Sequence, residues 1–348
     1  MEKHPVMKAD HLAIGYRTNK RSECAIHRDL NFMLYAGEMT CLLGPNGVGK
    51  STLLRTLACF QPALSGELLF EGRPIGQLSE RELSRKIGVV LTDKTQVGGL
   101  TVYELVSLGR QPHTGFFGRL KADDHRLIRE AIESVGIAHK AQSYVAELSD
   151  GEKQKAMIAK ALVQECPLIL LDEPTAFLDV VSRIEIMQLL HTIAHQQGRT
   201  VLLSTHDVEQ AFMFADKLWL LSPSEGLHYG VTEDIVFDGS MERLFPGQSI
   251  RFDHERGGYM PVPEHTRSLL IEATDPLLCH WLRNALARDG FTGITAASSS
   301  ATMPVLKANT PEDMTLELNG QSHHLRSFSE LHEALEAIPL PSASLPSR

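Results

Sequence analysis

Gly44-Pro45-Asn46-Gly47-Val48-Gly49-Lys50-Ser51-Thr52 decides how this chain is read. It fits G-x-x-x-x-G-K-[ST], a loop whose backbone cradles phosphate. The run before it, Met39-Thr40-Cys41-Leu42-Leu43, is apolar and reads as a buried strand; the run from Ser51 to Leu57 reads as a helix. The pattern requires that strand–loop–helix setting. Glycines let the backbone curl until successive N–H groups point at one anion. The N-terminus of the following helix adds partial positive charge at the same place. Gly44, Pro45, Asn46, Gly47, Val48 and Gly49 would form the cradle, Lys50 would reach the β- and γ-phosphates, and the Ser51 hydroxyl would ligate Mg²⁺.

The chain has 348 residues, a length that points to about two domains, and 43% of them are apolar, enough for a sizeable core. Its formal charge of −9, with no basic run, argues against nucleic acid as partner. Five scattered cysteines without a C-x-x-C pair suit a reducing compartment, and Cys41 and Cys166 lie in apolar runs as small core residues. The N-terminus lacks the apolar segment of a signal peptide, and no apolar stretch approaches the ~18 residues of a spanning helix. A soluble protein that docks on a membrane partner is expected.

Residues 7–43 alternate apolar and polar, as in an antiparallel sheet. Residues 101–147 read as helical with a break at Gly109–Gly118, and a helix follows Ser149. Leu168-Ile169-Leu170-Leu171 and Val201-Leu202-Leu203-Ser204 are continuous apolar runs, typical of central parallel strands, with an amphipathic helix near 180–197 between them. A second unit follows the Gly- and Pro-marked stretch 257–263, with a strand at 268–272 and helices at 276–289 and 328–337. The Pro/Ser-rich tail from Pro339 is expected to fray.

Leu171-Asp172-Glu173-Pro174-Thr175 ends an apolar strand with two adjacent carboxylates. Consecutive side chains on a strand diverge, so the two can do different work. Asp172 can hold Mg²⁺ through water, and Glu173 can act as general base toward an attacking water. In Leu148-Ser149-Asp150-Gly151-Glu152 the Ser149 hydroxyl and the first-turn N–H groups offer a second anion site, or taken alone a simple N-cap box. Ser204-Thr205-His206-Asp207 places an imidazole at the end of another apolar strand.

The succession of P-loop, Leu-Ser-x-Gly-Glu, Asp-Glu-Pro-Thr, Leu178-Asp179 and Thr205-His206-Asp207 resembles the nucleotide-binding subunit of ATP-binding-cassette (ABC) transporters. The resemblance covers about residues 7–245. It implies an α/β fold of the P-loop NTPase class: a mixed sheet core, an antiparallel β subdomain and an inserted helical subdomain. A linker at 246–267 and a small C-terminal α+β unit at 268–338 would follow. By resemblance, Lys50, Ser51 and Thr52 contact phosphate and Mg²⁺, Asp172 is the Walker B acid and Glu173 the catalytic base. Asp179 matches the D-loop acid, His206 the switch histidine, and Tyr16 the aromatic that stacks on adenine. The family implies head-to-tail homodimers, with Ser149 and Gly151 of one chain closing on ATP held by the other. It also implies integral membrane permease subunits, an indirect link to a substrate-binding protein, and a peripheral place on the cytoplasmic side of the inner membrane.

Two positions depart from the family's pattern. Asp150 stands where Gly is usual, so a carboxylate either weakens closure on ATP or points outward. In Leu91-Thr92-Asp93-Lys94-Thr95-Gln96, either Asp93 or Gln96 takes the place of the Q-loop glutamine. The stretch Gly99–His113 looks like the subdomain of importers for ferric siderophores, haem and cobalamin, and Phe116-Phe117 either receives a partner's helix or packs inside the subdomain. A non-transport ABC ATPase acting on ribosomes or nucleic acid is the rival reading, and an export cassette a third. In the C-terminal unit, which carries no motif, the pair His323-His324 reads as a surface feature of a strand.

Overall fold

The computed structural model describes residues 4–19, 22–91, 99–115, 118–245, 249–254, 256–262, 267–295, 303–318 and 320–338. Asp93, Gln96, Phe116, Phe117 and the tail from Pro339 lie outside the described residues. Two compact units emerge: Met1–Gln248 with Phe252–Met260, and Ser249–Arg251 with Pro261–Arg348.

In the first unit, β1 (Pro5–Asn19) pairs antiparallel with β2 (Ser22–Tyr35) and β4 (Ser65–Phe70), and the short β5 (Arg73–Pro74) closes this sheet in the order β2-β1-β4-β5. The second sheet runs β10-β9-β3-β8-β7-β6. Its strands are β3 (Met39–Leu43), β6 (Ile87–Val90), β7 (Leu168–Asp172), β8 (Thr200–Ser204), β9 (Lys217–Ser222) and β10 (Gly226–Val231). All neighbours in it are parallel except β9 and β10. The apolar runs are continuous because both faces of this sheet are covered. Cys41, Leu43, Ile169, Leu171 and Leu203 enter one core. Leu42, Leu168, Leu170 and Leu202 enter the other, with Phe32 and Trp219, whose ring centroids are 4.4 Å apart.

The helices are α1 (Lys50–Leu57), α2 (Glu80–Lys86), α3 (Val102–Ser107), α4 (Ala122–Ser134), α5 (Asp150–Leu162), α6 (Val180–Gln197), α7 (Val208–Phe214), α8 (Thr232–Phe237) and α9 (Ser240–Arg243). The helical insert comprises α3 to α5, with 3₁₀ turns at Leu108–His113 where the sequence marks a break. Gly109 belongs there because a Cβ would lie 2.2 Å from the Lys160 carbonyl oxygen. Arg110, buried beside it, donates to Asp124 at 2.8 Å and to the Val163 carbonyl at 2.8 Å, tying the insert together. The Lys121 N–H, and then Arg110, hold the Asp124 carboxyl below its usual pKa.

Residues 246–267, expected as linker, carry the paired strands β11 (Ile250–Asp253) and β12 (Gly258–Pro261). The second unit adds β13 (Arg267–Ala273), α10 (Pro276–Arg288), β14 (Phe291–Ile294), β15 (Val305–Thr310), β16 (Asp313–Leu318), β17 (Gln321–Leu325) and α11 (Phe328–Glu336). Its sheet order is β14-β13-β15-β16-β17, parallel around β13 and antiparallel beyond β15. Leu269, Ile271, Leu282, Leu286, Leu316 and Leu331 make its core. His323 and His324 are exposed on β17, opposite Leu316 and Thr315. Among the described residues no helix is long and apolar enough to cross a membrane.

Candidate active site

The carboxyl ends of β3, β7 and β8 meet at one edge of the parallel sheet, where open α/β sheets bind their ligands. β3 delivers the glycine loop, in which Gly47 and Gly49 have φ of 77° and 109°. Gly49 has a second constraint, since a Cβ there would sit 2.8 Å from Ile26 Cγ2. Lys50, buried at the start of α1, donates from Nζ to the carbonyls of Gly44 at 2.7 Å and Pro45 at 3.1 Å, which aims the ammonium along the loop. Burial lowers its pKa, while Glu173 and Asp172 oppose that shift, so both acids lie within its field. Ser51 is exposed beside it. Thr52 is buried, and its Oγ1 lies 2.9 Å from the hydroxyl of Tyr16, a half-exposed residue of β1.

Asp172 and Glu173 have different partners, but strand alternation is not the reason, because β7 ends at Asp172. Asp172 Oδ1 accepts from Ser204 Oγ at 2.7 Å, and the same Oγ accepts from the Glu173 N–H at 2.9 Å. Glu173 has a φ of 49°, a left-handed backbone that only surrounding structure sustains in a non-glycine residue. Its carboxylate pairs with His206 Nε2. His206 lines a pocket of about 430 Å³ with Gly44, Pro45 and Asn46, and a second of about 510 Å³ with Glu173, Thr175 and Asp207. The imidazole therefore stands between the phosphate loop and the space beyond Glu173.

Ser149, Gly151 and Asp179 line neither of these pockets. Gly151 and Asp179 share Ser182 instead, and Ser149 caps its own helix. Ser149 and Glu152 form a capping box at the start of α5, with the Ser149 N–H donating to Glu152 Oε2 at 2.9 Å. Asp179 caps α6 by accepting from the Ser182 N–H at 2.9 Å, a bond that lowers its pKa. Gly151 fits against the same residue, since a Cβ there would lie 2.9 Å from Ser182 Oγ. Asp150 turns outward: its side chain is 71% exposed and 3.6 Å from Lys153.

The motifs alone did not reveal Ser204 or His27. Ser204 is a polar residue closing an apolar run, which is a usable signal. His27, buried on β2, donates from Nε2 to the Val48 carbonyl at 2.7 Å and so clamps the glycine loop from the antiparallel sheet. Nothing local marks it.

A phosphate cradle at a helix start, two divergent carboxylates and an imidazole at one sheet edge define a nucleotide-hydrolysing P-loop cassette. Comparison with known proteins agrees. The family model described as ABC transporter matches residues 27–176. The chain is 35% identical to the iron(3+)-hydroxamate import ATP-binding protein FhuC of Bacillus subtilis, over 69% of this chain and 87% of that one. It is 34% identical to the ferric enterobactin transport ATP-binding protein FepC of Escherichia coli, over 69% and 86%. Among solved structures, a dimeric ATP-binding cassette in a post-hydrolysis state with ADP and Pi superposes with a TM-score of 0.57 at 27% identity, covering 65% of this chain and 98% of that one. The chain belongs to the ABC transporter ATP-binding protein family and is an ABC-type ATPase.

Proposed function

We propose that this chain is the ATP-hydrolysing subunit of an importer for a ferric siderophore, with residues 7–245 as the cassette and 268–338 as an accessory unit. The observation that carries the enzymatic part is the gathering of Lys50, Asp172, Glu173 and His206 at one sheet edge. The transported class rests on the iron-chelate relatives.

In this reading Gly44 to Thr52 hold the β- and γ-phosphates, and Tyr16 faces the base. Mg²⁺ favours hard oxygen donors, and the Ser51 hydroxyl and Asp172 carboxylate supply them. When bound, the ion neutralises phosphate charge. Glu173 takes a proton from the water whose oxygen bonds to the γ-phosphorus, as the bond to the leaving ADP oxygen breaks. His206 orients Glu173. Two copies act head to tail, Ser149 and Gly151 of each reaching the other's nucleotide beside Asp179; an exposed Phe177 and Val180 next to Asp179 support an apolar contact there.

A groove of about 540 Å³ lined by Arg81, Ser84, Leu108, Gly109, Pro112 and Lys160 suits a helix of the permease, on the cytoplasmic face of the membrane. The test is affinity capture from detergent-solubilised native membranes, followed by ATPase assay of the captured complex. Recovery of a polytopic protein and stimulation by ferric hydroxamate or ferric enterobactin, absent in Glu173→Gln, is the expected result. Stimulation by haem or cobalamin instead would reassign the cargo. Capture of ribosomes or nucleic acid without a membrane protein would overturn the importer.

A further inference from the structure

The chain does not leave the ATPase unit at the end of α9. Residues 252–260 belong to that unit, although residues on either side of them do not. Phe252 is buried, with its ring centroid 5.8 Å from Phe212 of α7 and 5.3 Å from Tyr259. Tyr259 meets Phe245 edge-on at 4.8 Å, and its hydroxyl donates to the Met241 carbonyl of α9 at 2.6 Å. Burial raises the phenol's pKa, which keeps that donor protonated. His254 pairs with Glu242 of α9. Gly257 and Gly258 lie against α7: a Cβ on the first would be 3.4 Å from the Phe212 ring, and on the second 3.7 Å from Glu209 Oε1.

The segment thus grips α7, which starts two residues after His206. It also walls the pocket of about 510 Å³ that holds Glu173 and His206, contributing Gly258 and Tyr259. A helix of two turns has little stability of its own, so its direction is set by what it packs on.

We propose that Phe252–Met260 is a working part of the ATPase site, with Tyr259 and Phe252 as positioning residues that hold α7 and, through it, His206 against Glu173. The inference rests on the hydrolytic roles given above to Glu173 and His206. Nucleotide affinity depends on Lys50 and the glycine loop, fixed by β3 and α1. Loss of the grip therefore falls on kcat and spares the KM for ATP.

The test is steady-state ATPase of the full chain with turnover normalised to nucleotide-binding sites, alongside thermal unfolding. Tyr259→Ala should lower kcat by about fivefold or more with KM within about twofold, since small misplacements of a reacting group reduce rate steeply. Tyr259→Phe keeps the ring and should recover most of that loss. A purely structural role would lower the melting temperature and the number of sites while leaving kcat per site intact, and that result overturns the proposal. So does a KM that rises in step with the fall in kcat, or a Tyr259→Phe no better than Tyr259→Ala. Where Tyr259→Ala does not fold, Phe252→Leu decides: kcat reduced at constant KM supports the grip, and unchanged kcat refutes it. Glu173→Gln runs in parallel. If it retains turnover, the assignment of the site fails and this inference with it; if it is inactive while the Tyr259 variants match the unsubstituted chain, only this inference fails.

Discussion

Ser204→Ala probes the joint that holds the two carboxylates apart. Ser204 is fully buried, and its one oxygen donates to Asp172 at 2.7 Å while accepting the Glu173 N–H at 2.9 Å. Alanine removes a charge-assisted bond and leaves a backbone N–H without its acceptor, together worth about 2–4 kcal/mol. For a domain of this size that is a fall in melting temperature of about 5–15 °C. The same bond helps sustain Glu173 at a φ of 49°, a conformation worth about 1–2 kcal/mol of strain. Released from it, the Glu173 carboxylate shifts from His206, and kcat should fall about tenfold or more. ATP affinity should stay within about threefold, because the ligands of Lys50 are the Gly44 and Pro45 carbonyls, which Ser204 does not touch. Calorimetry, phosphate release and a nucleotide titration give the three readings. A variant with a melting temperature within about 1 °C of the parent and undiminished turnover would show that neither bond matters.

Gly49→Ala forces a Cβ to 2.8 Å from Ile26 Cγ2 at a φ of 109°, a strain of about 2 kcal/mol or more that should weaken ATP binding at least tenfold in a nucleotide titration. Asp150→Gly should lower the melting temperature slightly, by loss of first-turn charge and of the Lys153 pair, and leave ATPase within about twofold. A several-fold gain in rate would mean that the carboxylate opposes closure after all. Three capping boxes place Glu82, Glu104 and Glu152 under the N–H of Ser79, Thr101 and Ser149, and each glutamate is thereby held below its usual 4.5. A depressed carboxylate stabilises the fold above its unfolded pKa and loses that effect as pH falls through its folded value. The stability gap between the parent and the triple Glu→Gln variant should therefore be largest above about pH 5 and close as pH drops below about 4; a gap constant from neutral to acid would contradict this.

The sequence could show what a contiguous stretch dictates. The glycine loop and the adjacent acids Asp172 and Glu173 need only neighbours in the chain, because the curl of a glycine-rich turn and the end of an apolar run are local properties. Central strands were legible from apolar runs, and the helical break from Gly109 onward. The direction of Asp150 was not, since it depends on whether a side chain prefers Lys153 or the space in front of the helix. His27 and Tyr259 were invisible in the same way, and so was the partner of Ser204, though its place at the end of an apolar run was not. Ser204 touches Asp172 across a strand pairing whose register sets those two residues side by side. His27 reaches Val48 from another sheet. Tyr259 lies beyond the expected end of the cassette, where glycines and prolines read as linker.

The strand order explains why the site works as one. Along the chain the order is glycine loop, acids, histidine; across the sheet it is β3, β8, β7. The histidine strand, last in sequence, is inserted between the other two, so His206 falls between the phosphate cradle and Glu173 and lines the pockets on both sides. A movement of α7, which starts two residues after His206, would reach the Glu173 carboxylate through that imidazole. If Glu173 and His206 carry out hydrolysis as proposed, the packing of Phe212 against Phe252 bears on turnover as well as on stability.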